Sequence, residues 1–320
     1  MHASNTPTLR PRLTAVLLAL ALALAGCSDG SDADFPGAGG LQSCADTGSC
    51  APNPPLVIGG GRPSNVDIPS DYDIGTRYPL LVVLHGFGAT GFIQSAYMGF
   101  LGRVDSRQFV LVRPDGTLNS TGSRFWNSEA WCCAFTEEER EVDDVAYIRG
   151  LIEEAAATYS IDTRRVGVFG HSNGGFMTLT MACEASELVT AVVSLAGSTF
   201  ENFDSCAPAT ERVSALLVHG DNDDTIPYEG AADTFPGAEE TAERYAILAG
   251  CDTTNPMSGG AIDLVGSLPG AETDIVTWPD CLAGTDVELW TIADGPHIPG
   301  PWVDAGTERM LDFLIEHPRD

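Results

Sequence analysis

Residues 165–175 read RVGVFGHSNGG, and this stretch decides the fold. An apolar run at 165–169 leads into Gly170-His171-Ser172-Asn173-Gly174, and a helical pattern follows. In a Gly-x-Ser-x-Gly turn between a strand and a helix, the serine takes a strained conformation, and the glycines are needed because side chains there would collide with the neighbouring elements. The helix N-terminus beneath the turn favours developing negative charge. The stretch therefore predicts that Ser172 is a nucleophile at the carboxyl edge of a sheet.

The rest of the body alternates short apolar strands with helical patterns. Strands are predicted at 78–84, 109–112, 165–169, 191–195, 215–218 and 287–292, and helices at 142–159, 174–183 and 305–316. Continuous apolar strands are typical of strands buried on both faces, and the interleaved helices supply the crossovers that parallel strands require. The sequence therefore predicts an α/β fold with a mostly parallel central sheet and helices on both faces.

A serine nucleophile requires a general base, and the chain has six histidines to choose from. His2 lies in the predicted leader, and His317 lies beyond the last predicted helix. Three others adjoin strand ends, motif glycines or the nucleophile, where packing or loop orientation is the expected role: His85, His171 and His219. His297 remains, in a glycine- and proline-rich loop after the last strand that can bring an imidazole over the sheet edge. We therefore expect His297 to be the general base.

The third member of a catalytic triad is expected to be a carboxylate that follows a strand between the nucleophile and the histidine. The strand at 213–218 leads into residues 219–228, which read HGDNDDTIPY. This loop offers Asp221, Asp223 and Asp224, and spacing alone does not distinguish them.

The charge balance limits the classes of partner. The chain has 45 acidic and 16 basic residues, all of the latter arginine, for a formal net charge of −29. A field of this sign repels phosphate backbones and anionic headgroups, so nucleic-acid binding and polybasic membrane attachment are disfavoured.

The N-terminus has the pattern of an export signal. Arg10 and Arg12 precede an apolar run at 13–24, which is shorter than the roughly 20 residues needed to span a bilayer. The run ends in Leu24-Ala25-Gly26-Cys27, which resembles the bacterial lipobox. Residues 1–26 are therefore predicted to be a lipoprotein signal peptide with Cys27 lipidated and the protein anchored to the cell envelope. The alternative is a plain secretory signal, which would leave the protein extracellular or periplasmic.

Two further segments complete the predicted organisation. Residues 27–62 are small, polar and rich in glycine and proline, which predicts a flexible tether, and residues 63–320 are predicted to be the catalytic domain.

With Cys27 assigned to lipid, eight cysteines remain for disulfides in an exported chain. Cys44 and Cys50 are candidates for a local bridge. A bridge between Cys132 and Cys133 is expected to be strained, so separate partners, such as Cys183 and Cys206, are favoured.

Five motifs together carry a family resemblance. In chain order they are Leu84-His85-Gly86-Phe87-Gly88, Trp131-Cys132-Cys133 followed by Val142-Asp143-Asp144-Val145, Gly170-His171-Ser172-Asn173-Gly174-Gly175, His219-Gly220-x-x-Asp223-x-x-Ile226-Pro227-Tyr228, and Gly295-Pro296-His297. Over about residues 78–300 the chain resembles the polyhydroxybutyrate depolymerases and feruloyl esterases of the α/β-hydrolase superfamily. The residues beside His297 depart from the family pattern, since Asp294 stands where that family has a further glycine and Ile298-Pro299 replaces its usual aromatic residue.

The resemblance implies an α/β-hydrolase fold and assigns further residues. It selects Asp223 as the acid, four residues after His219, and it assigns the backbone N–H of Phe87 to an oxyanion hole. It also implies a disulfide between Cys251 and Cys281. The second oxyanion donor, the N–H of Asn173, follows from the geometry of the serine turn.

The expected function is that of an exported serine carboxylic ester hydrolase that works through an acyl-enzyme, with no metal or organic cofactor. The substrate is expected to be a small or polymeric ester, and the alternatives to a polyester depolymerase are a feruloyl or acetyl-xylan esterase. A serine peptidase and a non-catalytic binding protein are further alternatives. Three aromatic residues are candidates for lining the substrate cleft, with core packing as their alternative role: Trp126, Trp131 and Trp302. We expect a monomer whose only contact with a membrane is the lipid anchor.

Overall fold

A large mixed sheet forms the centre of the protein. The computed structural model describes residues 40–129, 131–206 and 209–319, without the side chains of residues 204 and 205. The predicted signal peptide and Cys27 lie outside these residues. In the described ranges the strands are β1 (Val57–Ile58), β2 (Ser64–Asp67), β3 (Tyr78–Leu84), β4 (Val110–Arg113), β5 (Thr117–Leu118), β6 (Arg124–Phe125), β7 (Ile161–His171), β8 (Ala191–Leu195), β9 (Ser214–Gly220), β10 (Gly230–Ala231), β11 (Phe235–Pro236), β12 (Met257–Ile262), β13 (Thr273–Trp278) and β14 (Val287–Ile292).

Ten of these strands form the central sheet, in the order β1-β2-β4-β3-β7-β8-β9-β14-β13-β12. The strands from β4 to β14 in this order run parallel to their neighbours. Antiparallel strands extend both edges, β2 and β1 on one side and β13 and β12 on the other. The prediction of a mostly parallel sheet is confirmed.

Helices cover both faces of the sheet. They are α1 (Cys44–Thr47), α2 (Gly91–Tyr97), α3 (Val104–Arg107), α4 (Glu137–Arg140), α5 (Asp144–Thr158), α6 (Asn173–Glu184), α7 (Ala238–Ala249) and α8 (Asp304–Ile315), with short 3₁₀ turns at Leu101–Arg103, Phe203–Cys206 and Leu282–Gly284. Alternate residues of the buried strand β3 divide between two cores: Leu80 and Val82 pack with α5, α6 and α7, whereas Leu81 and Val83 pack with α3 and α8. Because side chains alternate across a strand, a continuous apolar run supplies both cores at once.

Local sequence fixes the ends of the helix that precedes β7. Asp143 has non-helical dihedral angles and its carboxylate accepts a hydrogen bond from the Ala146 N–H at 2.8 Å, so it caps the N-terminus of α5. Ile148 and Ile152 face the core, whereas Glu153 lies on the exposed side. No helix in the described ranges combines the length and apolarity needed to cross a bilayer.

Within the segment predicted to be a tether, the described residues 40–62 are folded. Residues 40–62 belong to the same compact unit as the sheet. The Ser43 hydroxyl caps α1, Cys44 is bonded to Cys50, and the buried Ile58 in β1 pairs at the sheet edge. The predicted boundary at residue 62 is therefore too late, because composition alone did not reveal that the disulfide and the edge strand hold this segment in place.

The disulfides include one pairing that the sequence analysis assigned wrongly. The bridges are Cys44–Cys50, Cys132–Cys133, Cys183–Cys206 and Cys251–Cys281. The first and last agree with the predictions. Cys132 and Cys133 are bonded to each other, not to Cys183 and Cys206, because Cys183 near the end of α6 and Cys206 after β8 are buried side by side and satisfy one another.

Candidate active site

Ser172 lies in the predicted turn between β7 and α6. Its φ of 56° is in the left-handed region, which a non-glycine residue adopts only under strain. A Cβ at Gly170 would lie 2.0 Å from the Gly174 carbonyl oxygen, and a Cβ at Gly174 would lie 2.5 Å from that of Leu84. The two glycines therefore allow the turn to pass between the strand and the helix, as the motif predicts. The turn is tied to β8 by a 2.8 Å hydrogen bond from the Ser172 N–H to the Leu195 carbonyl.

Three side chains from separate loops meet at this turn. His297 Nε2 lies 2.9 Å from Ser172 Oγ, and His297 Nδ1 lies 2.8 Å from Asp223 Oδ2. Because the carboxylate can only accept, the tautomer that fits has the proton on Nδ1, which leaves Nε2 free to accept from the serine hydroxyl. The three groups have the geometry that a nucleophile, a general base and an orienting acid require.

The loop after β9 separates the three candidate aspartates. The buried Asp223 carboxylate faces His297, and its Oδ1 accepts hydrogen bonds from the N–H groups of Thr225 and Ile226 at 2.9 and 2.8 Å. Asp221 instead accepts from the Asp294 N–H, and Asp224 is exposed.

The charge state of Asp223 follows from its surroundings. Burial raises the pKa of the Asp223 carboxyl, but hydrogen bonds from His219, His297 and the two backbone N–H groups outweigh burial and hold the pKa below its ordinary value. His219 Nε2 is 3.3 Å from Asp223 Oδ2 and 2.8 Å from the Ile226 carbonyl oxygen, so it braces this loop. Asp223 is therefore an anion at neutral pH, as an orienting acid must be.

The two predicted oxyanion donors are the backbone N–H groups of Asn173 and Phe87. Asn173 is the first residue of α6, where the N–H has no acceptor within the helix. Phe87 follows β3, in a loop whose neighbouring N–H groups are occupied: Gly88 donates to the Arg124 carbonyl and Ala89 to the Gly86 carbonyl. Of the two predicted oxyanion donors, Asn173 therefore directly follows Ser172, and Phe87 lies in a loop that approaches the serine, since a Cβ at Gly86 would lie 3.5 Å from Ser172 Cβ.

Trp126 is not a cleft residue. Its side chain is 0% exposed, so the prediction that it lines the substrate cleft is wrong. Its indole N–H donates to the His85 carbonyl at 3.0 Å, and its backbone N–H and C=O pair with the Asn173 side-chain amide at 2.7 and 2.8 Å. Trp126 therefore joins the loop after β3 to the residue that follows the nucleophile. Residue type alone did not reveal this role.

An ion pair between the half-buried Arg62 and the buried Asp144 supports the segment after Trp126, and sequence reasoning missed it. Arg62 Nη1 lies 2.6 Å from Asp144 Oδ1, and Asp144 Oδ2 accepts from the Asn127 N–H at 2.7 Å. Burial raises the pKa of Asp144 although Arg62 opposes it. The guanidinium also lies over the rings of Tyr147 and Trp126, at 3.8 and 5.7 Å from their centroids.

Trp131 and Trp302 occupy different surroundings. Trp131 is 41% exposed and packs against Phe176 and Phe235, with ring centroids 5.3 and 5.1 Å away. Phe176 lies one helical turn after Ser172, so this cluster forms a wall beside the nucleophile. Trp302 packs edge-on against Tyr97 at 5.7 Å, and its part in binding substrate stays a prediction.

No group of three or more His, Cys, Asp or Glu side chains that could hold a metal ion occurs in the described part of the chain.

A sequence model described as phospholipase/carboxylesterase matches residues 74–243, which is more than half of the chain and includes the serine turn and Asp223. The chain belongs to the phospholipase/carboxylesterase family. It is a carboxylic ester hydrolase of the α/β-hydrolase type, and the predicted resemblance to esterases of this superfamily is confirmed.

Two fungal feruloyl esterases and one solved acetyl xylan esterase are similar to this chain. "Probable feruloyl esterase C" of Aspergillus niger is 28% identical over 228 residues, which cover 67% of this chain and 74% of that protein. "Feruloyl esterase D" of Neurospora crassa is 25% identical over 283 residues, which cover 81% of this chain and 84% of that protein. An acetyl xylan esterase structure from Aspergillus awamori superposes with a TM-score of 0.61 at 15% identity, covering 81% of this chain and 97% of the other. The structural likeness supports the fold.

Proposed function

We propose that this esterase hydrolyses its substrate through Ser172, His297 and Asp223. The observation that carries the proposal is the continuous pair of hydrogen bonds from the strained serine to His297 and from His297 to Asp223. His297 Nε2 takes the Ser172 proton as Oγ attacks the ester carbonyl, and the Asp223 anion stabilises the imidazolium that forms. The N–H groups of Phe87 and Asn173 donate to the developing oxyanion.

The second half of the reaction uses the same groups. The imidazolium of His297 gives its proton to the leaving alkoxide, so the alcohol departs and an acyl group remains on Ser172 Oγ. A water molecule, deprotonated by His297, then attacks the acyl carbonyl, and collapse of the second tetrahedral intermediate returns the proton to Ser172. Atoms and charges balance with water as the only co-substrate.

Replacement of the nucleophile tests the assignment directly. Ser172→Ala is expected to lower kcat on p-nitrophenyl esters by roughly 10⁴-fold or more and to abolish covalent labelling by a fluorophosphonate. Ser194→Ala is a matched control, since Ser194 is a buried serine in β8 that bonds to the Gly175 carbonyl and is no part of the proposed triad. Full activity of the Ser172 variant would refute the assignment.

The exposed apolar residues near the serine suggest the substrate class. Phe87 is 43% exposed in the loop after β3, Ile298 is 65% exposed beside His297, and Trp131 is 41% exposed over the aromatic wall. Flat aromatic surfaces bind aromatic rings well because they stack with little loss of conformational freedom. We therefore assign to the enzyme esters with an aromatic acyl group, of the feruloyl kind, as its leading substrates, in line with what its relatives' names state.

A polyester depolymerase is the second candidate function. The exposed Phe87 and Ile298 favour it, because apolar side chains on both sides of the serine would contact a neutral aliphatic polymer. Methyl ferulate, acetylated xylan, hydroxybutyrate oligomers and short acyl esters form the panel that decides. The highest kcat/KM on hydroxybutyrate oligomers would replace the aromatic assignment. Measurable cleavage of a peptide bond would instead support the peptidase alternative.

Export and lipid anchoring are part of the proposal. The four disulfides of the described residues fit an oxidising compartment, and the Leu24-Ala25-Gly26-Cys27 sequence supplies an acylation site. Cys27→Ala is expected to abolish incorporation of an alkyne fatty acid and to release active enzyme from the membrane fraction. Labelling that persists in this variant would rule out Cys27 as the acylated residue.

A further inference from the structure

His171 is a buried histidine in direct contact with residues 293–303, the loop that carries His297 and is called the base loop below. The reaction described above does not use His171. Its Nε2 lies 2.9 Å from the backbone carbonyl oxygen of His297, and the two rings lie 5.1 Å apart at 35°. A carbonyl oxygen can only accept, so Nε2 must carry the proton. Burial lowers the pKa of His171 to about 4, so the ring is neutral at neutral pH and offers this one N–H donor.

The loop that carries His297 needs such a support. Residues 293–303 connect β14 to α8 without regular structure, and they include three prolines, which have no N–H to donate. The root of the loop is held where the Asn222 N–H donates to the Gly295 carbonyl at 3.1 Å. At residue 297 itself, the backbone hydrogen bond comes from a side chain, that of His171.

The surroundings of His171 hold its ring in one orientation. On one side the Tyr97 ring lies 6.0 Å away, and the Tyr97 hydroxyl donates to the Pro299 carbonyl, two residues after His297. On the other side the ring meets the loop after β3, since a Cβ at Gly86 would lie 3.3 Å from His171 Nδ1. The ring therefore lies between the loop after β3, which contains Phe87, and the base loop. His171 directly precedes Ser172 in the chain.

We propose that His171 is a positioning residue for His297: its Nε2–H fixes the main chain of the base so that the imidazole reaches both Ser172 Oγ and Asp223 Oδ2. This inference rests on the proposed function. Loss of the donor would let the base loop shift. Displacement of a catalytic group by about 1 Å lowers the rate of reaction by up to roughly 10²-fold.

Two amide side chains provide a matched test. In His171→Gln the amide N–H stands close to the position of Nε2 and can still reach the His297 carbonyl, whereas in His171→Asn it stands close to Nδ1 and cannot. We expect His171→Asn to lower kcat by roughly 10- to 100-fold with KM changed by less than about threefold, and His171→Gln to recover most of the loss. His171→Phe, which keeps the ring but not the donor, should behave like His171→Asn.

Two further measurements separate positioning from general stability. The low-field proton resonance of His297 Nδ1–H, bonded to Asp223, should weaken or move in His171→Asn and be retained in His171→Gln. His317→Asn is the control, because His317 is a partly buried histidine that contacts Phe313 and Asp286 outside the site. It should lower the melting temperature without changing kcat.

The outcomes distinguish this inference from the proposed function. If Ser172→Ala is inactive but His171→Asn has wild-type kcat, or if Asn and Gln at 171 are equally impaired, the positioning role is wrong and the triad stands. If Ser172→Ala keeps its activity, the proposed function itself fails.

Discussion

Glu129 allows a quantitative test of the structure, because its carboxyl is buried and one of its two oxygens has no hydrogen-bond partner among the described residues. The residue is 8% exposed, and its Oε1 has no hydrogen bond among the described residues. Burial raises the pKa of Glu129 from 4.5 to about 8. The folded protein therefore keeps this carboxyl protonated at neutral pH, whereas the unfolded chain releases the proton above pH 4.5. The contribution of Glu129 to the free energy of unfolding is therefore largest below pH 4.5 and falls as the pH rises towards 8.

The size of the effect follows from the pKa interval. One unit corresponds to about 1.4 kcal/mol, so the free energy of unfolding should fall by about 3 kcal/mol between pH 5 and pH 8 on account of Glu129. Glu129→Gln removes the titration. Because a folded body of about 280 residues has an unfolding entropy of about 0.6 kcal/mol/K, the melting temperature of this variant relative to wild type should rise by roughly 5 °C between pH 5 and pH 8.

Thermal melts of both proteins at pH 5, 6.5 and 8 would measure this difference. Glu141→Gln serves as control, because Glu141 is exposed, and its melting temperature should follow wild type at each pH. A constant difference between Glu129→Gln and wild type over the whole range would show that the carboxyl is not held protonated, and the argument from burial would be wrong.

Three other outcomes are expected. Asp223→Asn should lower kcat by roughly 10³- to 10⁴-fold, because the carboxylate that holds the His297 proton on Nδ1 is lost. Asp224→Asn should keep kcat within about twofold of wild type in the same ester assay. Trp126→Phe removes the N–H that holds the His85 carbonyl and should lower kcat by about tenfold with little change in KM, while Trp290→Phe should leave kcat unchanged. A neutral ester should be cleaved faster than the same ester on a polyanion at low salt, and equal rates would contradict repulsion by the acidic protein; added salt should narrow the gap.

The parallel core was predictable because its buried strands are continuous apolar runs in the sequence. Every residue of β3 is buried, so no polar position interrupts the signal. The outer strand β12 gave no such signal, since its sequence MSGGAI is exposed along most of its length and contains two glycines. Edge strands are defined by pairing with a neighbour, here β13, and this pairing has no local signature.

The candidate site divides in the same way. A strand, a turn and a helix that adjoin in sequence predict Ser172 as the nucleophile, and elimination among six histidines predicts His297 as the base. The choice of Asp223 over its neighbours required the family resemblance, because all three aspartates follow the same strand. The burial of Trp126 depends on contacts with distant segments, and the pairing of Cys132 with Cys133 follows from the separate meeting of Cys183 with Cys206. Residue type and spacing contain neither.

The site residues divide along the chain into a group before β9 and a group after it. Ser172 and the two proposed oxyanion donors, Phe87 and Asn173, precede β9 in the chain, whereas Asp223 and His297 follow it. Among the described residues no disulfide joins the part before Cys206 to the part after Ser214, so the two parts are held by the backbone and by non-covalent packing that includes the β8–β9 pairing. Under the proposed triad, a single cut between those two residues would separate the nucleophile from the base, so each fragment alone is expected to be inert. Ester cleavage by a mixture of the two would then report their reassembly, which makes this fold a natural starting point for a split-enzyme reporter.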